Sequence, residues 1–176
     1  MLVICDIDGV VANNDKRLVY LERGDYDNFY RDEYIRDDEL IASGQELVRY
    51  LGIRDERYGN GRPSFVYLTG RPEKTREATI NWLSRNRISA PLFMRADIDH
   101  RRSETVKPEL VAAIIGSYIS YFGELPDKHI LFVDDDPKNV KAVEEAFADN
   151  ENVVVQGLVF GSKRLNEVSK NDKSSL

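Results

Sequence analysis

Carboxylates follow two apolar runs of the sequence, each at the point where a buried strand would end. Asp6 and Asp8 follow one such run, and Asp134 and Asp135 follow another. Carboxylates brought together repel one another by about 1 kcal/mol per pair at 4 Å in water, so a cation has to compensate them. Oxygen ligands without nearby His or Cys favour a hard cation, and Mg²⁺ is usually bound by a few carboxylates together with substrate phosphate. The spacing therefore predicts a Mg²⁺ site.

Hydrogen-bond donors accompany these acids. Thr69 and Gly70 follow a third apolar run, and Lys107 precedes an apolar segment of helical spacing. Hydroxyl, amide and ammonium groups arranged around a metal ion can bind and neutralise a transferring phosphoryl group. We therefore predict a phosphoryl-binding site built from these residues.

Short apolar segments alternate with longer segments of helical spacing along the chain. The apolar segments do not alternate with polar residues, which predicts parallel strands covered on both faces. They lie at residues 2–5, 65–68, 91–94, 130–133 and 153–155, and the helical segments at 40–51, 73–83, 109–119 and 140–147. This order predicts an α/β fold, a doubly wound three-layer sandwich around a mainly parallel central sheet.

Prolines stand at the expected start of three helices, at Pro72, Pro108 and Pro137. Proline suits the first helical turn because the N–H that it lacks would be unpaired there. The helix N termini would then meet at the carboxyl edge of the sheet and offer N–H groups to an anion.

The composition describes one ordinary domain. The chain has 176 residues, of which 41% are hydrophobic and 32% charged, and its net charge is −6. No overall basic field would draw it to nucleic acid or anionic membrane, so any nucleic-acid contact has to be local. No apolar run approaches the roughly 18–20 residues that span a bilayer. The single cysteine, Cys5, allows no internal disulfide. We expect a cytoplasmic protein with no membrane partner, a folded domain at residues 1–164 and a polar tail at 165–176.

Four motifs in order resemble the haloacid dehalogenase (HAD) superfamily of phosphotransferases. They are Asp6-Ile-Asp8-Gly9-Val10, Thr69-Gly70-Arg71, Lys107 and Val133-Asp134-Asp135. The resemblance covers about residues 2–160 and implies a HAD-like Rossmannoid fold. The stretch between Asp6 and Thr69 leaves room for a loop-sized flap, so we expect a minimal cap domain or none.

The resemblance also implies roles for these residues. Asp6 would be the nucleophile that forms an aspartyl phosphate, and Asp8 would be the acid and base. Neighbouring carboxylates would hold the proton of Asp8 to higher pH. Thr69 and Lys107 would hold the phosphate and complete the catalytic set.

The metal ligands are likewise implied by the resemblance. Mg²⁺ would be bound by Asp6, the carbonyl of Asp8 and Asp134, with Asp135 supporting it through water. Asp136 stands immediately before Pro137 and is expected to be a helix N-cap instead.

A narrower likeness concerns the substrate. The segments 69–76 and 91–110 are similar to the 3′-phosphatase domains of phage polynucleotide kinase/phosphatases. That likeness implies a phosphomonoesterase that removes 3′-phosphates from nucleic-acid ends. No GxxxxGK[ST] motif occurs, so we expect no kinase domain in this chain.

Cations and aromatic rings could contact the backbone and bases of such a substrate. The candidate substrate residues are Gly70, Arg71, Arg76, Arg101 and Arg102, with Arg95 in the same basic region. The candidate stacking rings are Tyr26, Phe29, Tyr30 and Tyr34.

Two other functions stay open at this point. A small-molecule phosphatase, such as a 5′-(deoxy)nucleotidase, would suit the acidic composition and an extra loop at residues 53–63. A non-enzymatic phospho-receiver domain also groups acids, Thr and Lys on a doubly wound sheet, but with its acids in an order that this chain does not show. The sequence leaves open the choice between DNA, RNA and mononucleotide, and the oligomeric state.

Overall fold

The structure is a computed structural model that describes residues 1–56 and 63–161. The expected polar tail at 165–176 lies outside the described residues, as does most of the expected extra loop at 53–63. In chain order the elements are β1 (Leu2–Cys5), β2 (Ala12–Asn13), α1 (Asp15–Glu22), α2 (Tyr26–Phe29), α3 (Asp32–Arg36), β3 (Glu39–Leu40), α4 (Ala42–Glu56), β4 (Phe65–Pro72), a 3-10 turn (Glu73–Thr75), α5 (Arg76–Arg85), β5 (Leu92–Arg95), α6 (Ser103–Phe122), β6 (His129–Asp134), α7 (Pro137–Phe147) and β7 (Val154–Val159).

The five predicted strands are confirmed and form one parallel sheet in the order β5-β4-β1-β6-β7. Strand β1 lies in the middle, and its last residue, Cys5, is in register with Tyr67 of β4 and Val133 of β6. The residues that follow these three strands therefore meet at one edge of the sheet, which positions the candidate site.

Alternate residues of the strands face opposite layers of helices. Leu2 and Ile4 of β1 pack in a core shared with α6 and α7. Val3 and Cys5 pack in a second core shared with α4 and α5. Because both faces are covered, the strands are apolar at consecutive positions. The predicted three-layer α/β sandwich is confirmed.

Helix α6 begins earlier than the sequence pattern predicts. It starts at Ser103, so Pro108 lies inside the helix and not in its first turn. The expectation for this proline was wrong, whereas Pro137 does begin α7, with Asp136 as the N-cap whose side chain accepts from Lys138 N at 2.9 Å. The early start of α6 means that Lys107 is held on a helix.

A small helical cap occupies residues 12–40, where a loop-sized flap was expected. Strands β2 and β3 pair antiparallel, with Ala12 opposite Leu40, and α1, α2 and α3 lie between them. These helices have only 8, 4 and 5 residues. Helices this short show too few turns for a periodic pattern and depend on tertiary packing for their stability. Among the described helices, none has the length and apolar content needed to cross a membrane.

Candidate active site

The centre of the site is an ammonium group between two carboxylates. Asp6 directly follows β1, and Asp134 ends β6, the neighbouring strand. Lys107 Nζ donates to Asp6 Oδ2 at 2.6 Å and also to Asp134 Oδ2. Burial disfavours the charge of Lys107, but Asp6 and Asp134 beside it raise its pKa. The lysine is therefore held as a cation in contact with both acids.

An acidic cluster at the same sheet edge could hold a metal ion. Carboxylate oxygens of Asp6, Asp134 and Asp135 lie within 4.8 Å of one another. Asp6 Oδ1 is buried and has no hydrogen-bond partner among the described residues. Burial raises the pKa of Asp6, and it raises that of Asp135 to about 6. An oxygen-only donor set with an unpartnered carboxylate oxygen fits a hard cation.

Asp8 lies between two arginines, which corrects the expectation about its proton. Arg71 donates to Asp8 from Nε at 3.0 Å and from Nη2 at 2.7 Å, and Arg17 Nη2 donates to the same carboxylate. Burial alone would raise the pKa of Asp8, but the two guanidinium groups hold it well below its ordinary value. The neighbours that set this pKa are cations and not the carboxylates that the sequence suggested.

Asp38 completes this buried network. It accepts from Arg17 Nε at 2.9 Å and from Arg71 Nη2 at 2.8 Å, and its backbone carbonyl accepts from Trp82 Nε1 at 2.8 Å. Arg17 also lies over the Phe29 ring, 4.7 Å from its centroid. The network joins the helical cap, which supplies Arg17, to β4 and α5 of the main domain. Sequence reasoning missed Arg17 and Asp38 because both stand in charged stretches with no apolar period.

A cavity of about 560 Å³ opens over this sheet edge. The catalytic candidates Asp6, Asp8 and Lys107 line it, as does the metal candidate Asp135. The cap lines it with Asn14, Leu18, Leu21, Tyr26, Asp27, Phe29 and Tyr30, and the β5–α6 segment with Arg95, Asp97, Asp99, His100, Arg101, Arg102 and Ser103. The cap thus contributes mainly apolar and aromatic side chains to the lining, and the β5–α6 segment contributes mainly charged ones.

The four residues expected from Thr69 to Arg76 behave differently from one another. Gly70 lines the cavity, whereas the Thr69 side chain is fully buried and its hydroxyl accepts from Arg71 N at 3.2 Å. Arg71 is 0% exposed and does not line the cavity. Its guanidinium forms ion pairs with Asp8 and Asp38. Arg76 does not line it either and pairs with Glu73 at 2.6 Å. Of the expected substrate residues, Arg71 and Arg76 therefore lie outside the cavity lining.

Arg101 and Arg102 both line the cavity, as a substrate role requires. Their charges are nevertheless shared with carboxylates. Arg101 pairs with Asp99 and Glu109, each at 2.8 Å, and Arg102, whose side chain is 86% exposed, pairs with Glu104 at 3.7 Å. The basic lip expected from the sequence is therefore partly neutralised.

Three of the four candidate stacking rings reach the cavity. Tyr26 is 57% exposed there, and Tyr30 donates from its hydroxyl to Gly70 O at 3.3 Å. Phe29 is buried under Arg17. Tyr34 does not line the cavity and stacks on Tyr20 instead, with ring centroids 5.2 Å apart. Tyr26 is the ring most open to a ligand.

Three solved structures show the same fold at low sequence identity. A chain of the Pnkp1/Rnl/Hen1 RNA repair complex is 20% identical, with a TM-score of 0.57. The match covers 92% of this chain but only 43% of that one, so this chain spans less than half of that protein. A HAD-superfamily hydrolase from Ehrlichia chaffeensis is 12% identical, with a TM-score of 0.54 over 98% of this chain and 96% of that chain. The HAD domain of effector protein Lem4 from Legionella pneumophila is 12% identical, with a TM-score of 0.50 over 98% and 93%.

The family follows from a match at the level of sequence. No curated protein sequence matches the chain. A family model, described as the polynucleotide kinase PNKP phosphatase domain, matches residues 1–130, most of the described domain. The chain therefore belongs to the polynucleotide kinase PNKP phosphatase domain family of the HAD superfamily and is a phosphatase.

Proposed function

We propose that this phosphatase is a Mg²⁺-dependent phosphomonoesterase that works through an aspartyl phosphate on Asp6 and removes 3′-phosphates from nucleic-acid ends. The observation that carries the chemistry is the Asp6 carboxylate. One of its oxygens is held by Lys107, the other has no partner within the described part of the chain, and the residue lines the cavity beside Asp8. A carboxylate oriented in this way can act as a nucleophile.

The chemistry divides into two displacements at phosphorus. In the first, a carboxylate oxygen of Asp6 forms a bond to phosphorus as the ester oxygen leaves, and that oxygen takes a proton delivered by Asp8. In the second, Asp8 takes a proton from water, whose oxygen attacks phosphorus and releases Asp6 and inorganic phosphate. Lys107 stays charged throughout and offsets the negative charge of Asp6 and its phosphorylated form.

The two arginines give Asp8 a defined orientation and a proton affinity that responds to substrate. With its pKa held low by Arg71 and Arg17, Asp8 is ionised before substrate binds. A phosphate group entering beside it brings negative charge, and a nearby like charge raises the pKa of a carboxyl group. Substrate binding therefore favours the protonated Asp8 that the first step uses.

Asp6, Asp134 and Asp135 would hold the Mg²⁺ ion, because their oxygens lie within reach of one another. When bound, the ion would supply positive charge to the phosphoryl oxygens and orient them. Asn139 supports this set, since its Nδ2 donates to Asp134 Oδ1 at 3.0 Å. With Lys107 on Oδ2 and Asn139 on Oδ1, the Asp134 carboxylate is held in one orientation.

The substrate class is supported by the family and by the cavity. At about 560 Å³ the cavity has the size of an ordinary ligand site, roughly 300–1,000 Å³. It therefore has room for a nucleotide and not only for a phosphate. Tyr26 contributes an exposed ring to the lining, and the β5–α6 segment contributes three arginines.

The test is phosphate release with Mg²⁺ and with EDTA from three kinds of substrate. These are a 3′-phosphorylated oligonucleotide, its 5′-phosphorylated isomer and a set of mononucleotides. We expect Mg²⁺-dependent release from the 3′ end. Phosphate release mainly from mononucleotides would indicate a nucleotidase and contradict the proposed substrate. Equal release with Mg²⁺ and with EDTA would contradict the proposed dependence on a metal ion.

A further inference from the structure

We propose that Arg95 binds a second anionic group of the substrate, the phosphate one nucleoside away from the phosphate that is hydrolysed. This inference rests on the proposed function and names a specificity-determining residue for it. Arg95 is the last residue of β5 and lines the cavity.

The ion pairs of the cavity wall single out Arg95. Every other Lys or Arg that lines the cavity pairs with at least one carboxylate. The pairs are Lys74 with Asp27, Arg101 with Asp99 and Glu109, Arg102 with Glu104, and Lys107 with Asp6 and Asp134. Arg95 makes no ion pair within residues 1–56 and 63–161, although at longer range it adds to Arg101 in lowering the pKa of Asp99. Its guanidinium is therefore not in direct contact with a carboxylate of the described residues.

The guanidinium of Arg95 is nevertheless fixed in place. Nη1 donates to the carbonyl of Arg101 at 2.9 Å, and Nη2 donates to Ser103 Oγ at 3.1 Å. Nε is buried and has no acceptor among the described residues. Two neutral acceptors orient the group without neutralising it, and a rigid, unpaired guanidinium fork suits a phosphate.

Gly70 belongs to β4, the strand between β5, which ends at Arg95, and β1, which Asp6 follows. A Cβ atom at Gly70 would lie 3.7 Å from Arg95 Nη2 and 3.3 Å from Ser103 Oγ, so glycine leaves the space beside the guanidinium open. None of the carboxylates of Asp6, Asp8 or Asp135 pairs with Arg95. The positive charge is therefore displaced from the nucleophile, which places it beside a neighbouring part of the substrate.

The test compares ligands that carry one or two phosphates. A nucleoside 3′,5′-bisphosphate and the corresponding 3′- and 5′-monophosphates are titrated calorimetrically, with Mg²⁺, into the full chain carrying Asp6→Asn to prevent turnover. Added to that background, Arg95→Gln is expected to weaken bisphosphate binding about 10- to 100-fold, since hydrogen bonds to charged groups contribute more than neutral ones. Binding of the better monophosphate should weaken less than 3-fold, and Arg95→Lys should restore part of the loss.

Two control variants distinguish loss of the Arg95 charge from a general disturbance of the structure around it. Arg76→Gln removes a guanidinium outside the cavity and should leave all three affinities unchanged. Ser103→Ala removes the Nη2 acceptor but keeps the charge, so a loss as large as that of Arg95→Gln would contradict the inference. The melting temperature of each variant shows whether it is folded.

Other outcomes overturn the inference directly. Equal losses for the bisphosphate and the monophosphates would mean that Arg95 acts on the terminal phosphate or on the β5–α6 segment. A parent protein that binds the bisphosphate no more tightly than the monophosphates would leave no second site. Because the bisphosphate carries both ends, these results do not depend on which end is hydrolysed. Failure of the proposed 3′ preference appears only in the turnover experiment.

Discussion

Lys107 Nζ lies 2.6 Å from Asp6 Oδ2, although 101 positions separate the two residues in the chain. The two side chains meet because β1 is the central strand of the sheet and α6 passes over its carboxyl edge with Lys107 on the buried face of the helix. Both side chains are almost inaccessible, so each charge depends on the other for compensation. The nucleophile of the proposed reaction is thus oriented by a long-range tertiary contact.

Replacement of Asp6 by Asn should abolish phosphate release, by at least about 1,000-fold, because an amide is not a competent nucleophile at phosphorus. The measurement is phosphate release under the conditions in which the wild type is active. Asp127→Asn is a matched control, since Asp127 precedes β6 at the opposite end of the sheet and pairs with His129. Because this ion pair is exposed and contributes little free energy, the Asp127 variant should retain activity within about 2-fold. Substantial turnover by the Asp6 variant would exclude an aspartyl phosphate at this residue.

Removal of the metal should stop turnover and lower stability. Mg²⁺ that binds only the folded chain stabilises it by about 2.7 kcal/mol at 100 times the dissociation constant. We expect Mg²⁺ to raise the melting temperature of the wild type relative to EDTA. The gain should shrink in Asp134→Asn, because that variant removes one of the three clustered carboxylates. An equal gain in both proteins would place the ion elsewhere.

Asp38→Asn should destabilise the domain by about 3 kcal/mol, because it leaves two buried guanidinium groups short of a counter-charge. Urea unfolding measures this. The control is Glu39→Gln, the next residue, whose exposed pair with Lys16 should contribute less than about 0.5 kcal/mol. Asp38→Asn should also lower kcat, since Arg17 and Arg71 position Asp8. Similar stabilities for the two variants would show that the network carries no net free energy.

Gly9→Ala should damage both stability and activity. Gly9 has a φ of +77°, and a Cβ atom there would lie 2.1 Å from Asp135 Oδ2. The alanine variant is therefore strained and displaces a clustered carboxylate. Gly116→Ala in α6 meets nothing within 4 Å and should instead stabilise the chain by about 0.5–1 kcal/mol. Circular dichroism melts and phosphate release compare the two, and a Gly9→Ala protein with wild-type activity would contradict the close approach to Asp135.

The sequence predicted the sheet and the acids at its edge well. An apolar run of about four residues is enough to define a buried strand, and the position of Asp6 or Asp134 directly after such a run is a local property. Once the strands are parallel, the acids that follow them have to meet at one edge. The side chains that contact substrate were harder to predict, because the sequence does not distinguish a buried arginine such as Arg71 from a solvated one.

What the sequence by itself determined was therefore the α/β sandwich and the identity of the acids at its carboxyl edge, since both depend on short-range patterns of apolar and polar residues. Only the tertiary structure decided which cations face those acids. Arg17, Asp38 and Arg71 form one buried network although they come from separate parts of the chain, and Arg95 in the cavity wall has no carboxylate partner among residues 1–56 and 63–161. Which two charged side chains form an ion pair depends on the distance between them in the folded chain. A local sequence pattern does not contain that distance.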